Sequence, residues 1–151
     1  MLDFATLQEL VGRWWFEYDQ GNFEAMEALL TDDVRFTCRT STGDTSYEEF
    51  VTFDDLGRDA VMRRQREHRL DSPFPLRHMG LNIHRTGQRD GATTFRSYIF
   101  VTQITDSGVS NLSTAIVTGA VRETPDGAKI CEKHVVLDTA ESVVLRTLRE
   151  H

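Results

Sequence analysis

The side chains able to move protons include five histidines, at positions 68, 78, 84, 134 and 151, among 24 acids and 17 bases. An imidazole has an unperturbed pKa near 6.5, so a neutral ring can take a proton at ordinary pH. A carboxylate bonded to its other nitrogen fixes the tautomer and steadies the imidazolium that forms. General-base catalysis of this kind is worth roughly 10²–10⁴-fold. Asp19, closing a helical pattern, and His78, on a strand pattern, are of the types such a pair needs. They lie 59 positions apart, so only the fold could join them. Each also has an ordinary structural use. An aspartate suits the turn between two helices, and a histidine can sit hydrogen-bonded in a core. His78 and His84 could share a strand face, but six residues on a strand span roughly 20 Å. That is too far to hold one metal. Cys38 and Cys131 belong to no CxxC or Cys/His cluster and read as small, reduced strand residues. The expectation is no metal and no cofactor.

The elements that must position these groups are readable. Residues 3 to 19 show a helical stripe of Leu7, Leu10, Val11, Trp14, Trp15 and Tyr18, with Asp3 or Thr6 as cap and Gly21 as stop. A second helix over 22 to 30 buries Phe23, Met26, Leu29 and Leu30. Thr31-Asp32-Asp33 reads as a turn, and residues 34 to 38 alternate as a strand. Residues 40 to 55 are the least regular, with Tyr47 to Phe53 a short strand or flap. Helix returns over 55 to 70, facing Leu56, Ala60, Val61 and Met62 inward, and Pro73 and Pro75 end it. The band Arg63-Arg64-Gln65-Arg66-Glu67-His68-Arg69 reads as a solvated surface or an oligomer contact. Four strands follow, over 77 to 85, 93 to 105, 110 to 123 and 129 to 138, joined by turn chemistry into an antiparallel meander. Residues 141 to 150 form a short helix or ordered tail. Helices first and then a curved sheet predict an α+β fold.

Composition narrows the function. A chain of 151 residues fits a single domain, 1–151. The net charge of -7 argues against nucleic acid. No apolar run approaches the roughly 18 residues of a membrane span. No basic, apolar leader opens the chain, so a cytoplasmic location is expected.

Three stretches resemble the SnoaL-like group of the NTF2-like superfamily. These are Tyr18 to Val34 with its Asp-Asp-Val turn, Arg77-His78-Met79-Gly80-Leu81-Asn82, and Asp126 to Asp138. The resemblance spans about residues 5 to 138. It implies a cone-shaped α+β barrel and a homodimer or homotrimer built on the sheet face. It also implies that Asp19 and His78 form a dyad that removes a proton from a small hydrophobic, polyketide- or steroid-like molecule. The outcome is dehydration, or isomerisation or cyclisation by the same base. A non-catalytic ligand-binding or subunit-assembly module is the rival of a different class. Hydration would need a polar set that positions water, and none is evident.

Where related lyases carry a Tyr or Lys five residues before the acid, this chain has Trp14, which cannot do acid–base chemistry. Trp14 is a substrate-binding candidate or core. So are Tyr98, a phenol that could serve an oxyanion, Asn82, Phe53 and Met79. Tyr47 and His134 are weaker candidates, and Arg96 is expected to pair with an acid such as Glu132. Trp14, Trp15, Phe53, Phe74, Met79, Phe100 and Ile116 suit an apolar pocket wall.

Overall fold

The structure is a computed structural model and describes residues 1–150. His151 lies outside them. Helix α1 runs Phe4–Gln20. The Asp3 carboxylate accepts from the Thr6 backbone N–H at 2.9 Å, satisfying a free donor of the first turn. Gly21, at φ 71, closes the last turn in the left-handed region. Between these caps the predicted stripe is buried. Leu7, Val11 and Trp14 are almost wholly enclosed, each contributing roughly 1.5–3 kcal/mol. Helix α2 covers Phe23–Ala28.

Strand β1 spans Leu30–Thr40. The expected turn at Thr31 to Asp33 is instead an irregularity inside this strand, where its pairing shifts register between Leu30 and Arg35. Two acids and a threonine carry turn chemistry, and they lie between Leu30, paired with Ile130, and Arg35, paired with Glu132, with no register partner of their own. The irregular region holds helix α3, Glu48–Val51, and strand β2, Phe53–Leu56. Tyr47 to Phe53 is therefore mostly helical rather than a strand. The Glu48 carboxylate binds the hydroxyls of Thr40, Thr45 and Thr52 and pins this segment to β1. Helix α4 begins only at Arg58 and ends at Leu70. Leu56, expected on its inner face, lies exposed on β2.

The four later strands are β3, Leu76–Arg89, β4, Ala92–Thr105, β5, Gly108–Thr124, and β6, Gly127–Leu137. A short helix α5 covers Leu145–Arg149. The expected meander forms, and β1 then joins β6 in parallel. The sheet order is β2-β1-β6-β5-β4-β3. The predicted α+β fold is present, with helices packed on one face of a mostly antiparallel six-stranded sheet. No helix among the described residues is long and apolar enough to cross a membrane.

The inner sheet face carries Phe95, Ile99, Val101, Val117 and Val135. One glycine makes this packing possible. A Cβ on Gly119 would meet the Glu132 carbonyl oxygen at 2.6 Å and the Phe95 ring at 2.7 Å. Backbone cannot give way there. Gly119→Ala is therefore expected to destabilise the fold by roughly 1–3 kcal/mol, read from urea denaturation midpoints.

Candidate functional site

Three residues of α1 at positions i, i+3 and i+4 face strand β3 together. They are Trp15, Tyr18 and Asp19, all buried. His78, near the start of β3, pairs in register with Val101, whose side chain is buried in the core. That parity turns the imidazole inward, toward α1. Its Nδ1 lies 2.6 Å from Asp19 Oδ1, and its backbone N–H donates to Asp19 Oδ2 at 2.7 Å. Both carboxylate oxygens are thus committed to one residue. An ionised carboxylate only accepts, so the proton of the pair belongs on Nδ1 and the lone pair on Nε2. Nε2 has no protein partner among the described residues and is not one of the fully buried, unpaired polar atoms.

Aromatic rings hold the imidazole in this pose. The Trp15 indole stacks on it at 4.6 Å with the planes 3° apart. The Tyr18 ring meets it edge-on at 5.2 Å. Two residues along β3, Gly80 lets α1 approach. A Cβ there would lie 3.3 Å from Val11 and 3.4 Å from Trp15. Burial pushes the Tyr18 phenol up to about 12, so it keeps its proton across ordinary pH.

Arg69 fixes the end of α1. Its guanidinium is buried and donates to the backbone carbonyls of Tyr18, at 3.1 Å, and Asp19, at 2.7 Å. It also donates to Ser72 Oγ and the Pro73 carbonyl. The last carbonyls of a helix lack intrahelical donors, and this fork supplies them. The expected solvated band is thus corrected at its end. Val61, Met62, Gln65 and Arg69 form one buried stripe of α4. Their four- and seven-residue spacing was the sequence signal.

A second buried base lies on β6. Lys133 is 2% exposed, and its Nζ sits 3.7 Å from the Trp15 ring centroid, 4.9 Å from that of Trp14 and 5.9 Å from that of Phe36. It has no ion-pair or hydrogen-bond partner among the described residues. Burial alone drives its pKa well below 10.5. Its inward parity with Val135 and Leu137 was legible in the sequence.

The sign of the Lys133 effect on stability follows from linkage. Between the low folded pKa and the unfolded value near 10.4, the unfolded chain binds the extra proton, so stability rises with pH. The gain is complete above the unfolded value and is lost as pH falls through the folded one. Tyr18 acts oppositely from about 10 to about 12, where the folded state keeps its proton and stability falls. The buried Cys38 thiol, raised to about 11, likewise opposes the gain from about pH 9, so urea midpoints of the parent should climb toward about pH 8.5, and Lys133→Met should remove that climb.

The remaining candidates disperse. Trp14 is fully enclosed and meets Phe36 edge-on at 5.9 Å. Phe53 packs edge-on against Phe36 at 5.3 Å and under Arg64. Phe74 is exposed beside Arg69 and Arg77. Met79, Leu81, Tyr98, Phe100 and Ile116 have the opposite parity to His78 and point to the outer sheet face. Asn82 sits at a bulge in β3 with φ 56. Tyr98 and Asn82 do meet, lining a cavity of about 690 Å³ with His84, Arg96 and Ile116, but away from Asp19 and His78. Arg96 lines that cavity rather than pairing with Glu132, which binds Arg89 and His134 instead. His134 bonds Thr37 at 2.8 Å, and Tyr47 is exposed ahead of α3.

No protein-family model and no curated protein matches the sequence. Solved structures do resemble the fold. An NTF2-like protein with a cystatin-like fold from Novosphingobium aromaticivorans matches 95% of this chain and 86% of its own, at 19% identity and TM-score 0.68. ActVI-ORFA from Streptomyces coelicolor matches 89% and 96%, at 17% identity and TM-score 0.72. The β subunit of benzoate 1,2-dioxygenase from Burkholderia mallei matches 91% of each chain, at 20% identity and TM-score 0.68. Likeness at these identities speaks to architecture alone, and the architecture is the NTF2-like, cystatin-like α+β fold.

Proposed function

We propose that this protein is a cofactor-free enzyme in which His78, oriented by Asp19, abstracts a proton from carbon in a small hydrophobic molecule. The single observation behind this reading is the 2.6 Å Nδ1–Oδ1 contact with Nε2 left unpaired. A capping aspartate would bond its own helix turn, and a structural histidine would use both nitrogens. Here the carboxylate bonds only His78, and one ring nitrogen is kept in reserve. Nε2 takes the proton while Asp19 steadies the imidazolium. The rings of Trp15 and Tyr18 suit a planar polyketide- or steroid-like substrate. Dehydration is the favoured outcome, with isomerisation or cyclisation the alternatives on the same base. The test is hydrogen exchange in D2O into 2-tetralone, a bicyclic ketone with acidic α-hydrogens, followed by NMR. Exchange is expected with the parent protein and not with His78→Ala.

A second reading concerns assembly. Leu81, Tyr98, Ile104, Val109, Leu112 and Ile116 leave the outer sheet face broadly apolar and exposed, the kind of patch that marks an interface. The reading is a homodimer or homotrimer formed on this face. Tyr98→Glu together with Ile116→Glu should yield a monomer by sedimentation, while unchanged assembly would rule this face out.

A further inference from the structure

The outer face of the sheet carries a cavity that the dyad does not use. Its volume of about 690 Å³ lies within the range of small-molecule sites. A bulge in β3 shapes it. Leu81 pairs with Tyr98 and His84 with Arg96, so Asn82 and Ile83 share the place opposite Ser97. Such a bulge bends its strand. Asn82 takes a left-handed φ of 56, and its carbonyl accepts from His84 Nδ1 at 3.0 Å, which holds the imidazole in place.

The lining divides by chemistry. Tyr98 and Ile116 pair across β4 and β5 and form a half-exposed apolar wall. Next to them Arg96 pairs with Thr118, and the His84 ring flanks Arg96 from β3. Cβ atoms of such cross-strand neighbours lie roughly 4.5–5.5 Å apart, so guanidinium and hydroxyl stand side by side. Arg96 makes no ion pair or side-chain hydrogen bond among the described residues. No Asp or Glu lines the cavity, although the chain holds 24 acids against 17 bases. Ser97, also in the lining, keeps a buried Oγ without a partner. An unpaired fork beside an apolar wall, in a site without acids, complements a molecule with a carboxylate at one end and a flat apolar body at the other. One guanidinium matches the single charge of a carboxylate.

We propose that this cavity binds an aromatic carboxylic acid, its carboxylate held by Arg96 and Thr118 and its ring laid against Tyr98 and Ile116. The site is independent of His78, which points to the helix-covered side of the sheet. All of its residues come from one chain. The apolar end of the same face, Ile104, Val109 and Leu112, lies by the β4–β5 turn, several residues along both strands.

The experiment titrates 2-naphthoate into the ¹⁵N-labelled parent, followed by NMR, with neutral 2-naphthalenemethanol in a parallel series. Saturable binding of naphthoate tighter than about 1 mM is expected. It should move the signals of His84, Tyr98 and Thr118 and not those of His78. Arg96→Met should weaken naphthoate by at least about tenfold and leave the weaker binding of the alcohol unchanged. Arg96 is exposed and bonds no other side chain, so the variant keeps its fold. No binding by the parent, as when a second copy covers the cavity, would overturn the site. So would equal binding by Arg96→Met, equal binding of acid and alcohol, or shifts confined to the His78 side.

Discussion

His78→Ala lowers α-hydrogen exchange by roughly 10²–10⁴-fold, and Asp19→Asn lowers it nearly as far. The two losses do not add, because the residues act as one unit. Asp19 holds Nδ1 and the His78 backbone N–H at once. An asparagine of the same shape can present its amide to Nδ1 and so reverse the tautomer, putting the proton on Nε2 where the lone pair is needed. The double variant should therefore be no slower than His78→Ala alone. Exchange rates from NMR check this. Additive losses would mean that Asp19 acts on something other than His78. The variants should remain folded, since Trp15 and Tyr18 enclose the ring position from two sides.

Arg69→Met should cost roughly 2–4 kcal/mol of stability and lower the melting temperature by roughly 5–15 °C. Few side chains here replace so many hydrogen bonds at once. The guanidinium closes α1 at Tyr18 and Asp19 and ties the Ser72–Pro73 turn to it. Removing it leaves the Asp19 carbonyl without its donors and cuts the tie to Ser72 and Pro73, while the Tyr18 carbonyl keeps the Gly21 N–H. Arg69→Lys should recover only part of the loss, because one ammonium cannot span the fork. Exchange should also slow in either variant, through kcat more than KM, because the Asp19 carboxylate loses its fixed position while Trp15, which Arg69 does not bond, keeps its place. Calorimetry and the kinetic split check the two halves separately.

Much of this was legible in the sequence where one periodicity prevailed. The Leu7-to-Tyr18 stripe, the Gly21 stop and the four later strands follow from spacing and turn chemistry. Asp19 and His78 were named as types, yet their contact depends on α1 crossing β3, and that crossing depends on Gly80 having no side chain. The failures share a physical cause. At Thr31 to Asp33 polar residues form an unpaired irregularity inside a strand, between Leu30, which pairs with Ile130, and Arg35, which pairs with Glu132. At Arg69 a charged residue sits where the period says core, and a chemical prior for solvent outweighed the period. The parity of Tyr98 and Met79 depends on the register with His78, which is set across strands rather than along one.

The most direct test of the central claim is the tautomer of His78, read from long-range ¹H–¹⁵N correlations. The account predicts the proton on Nδ1, shared with Asp19, and an unprotonated Nε2 facing any bound carbon acid. A proton on Nε2 would contradict it, because the ring would then have no free lone pair with which to act as a base.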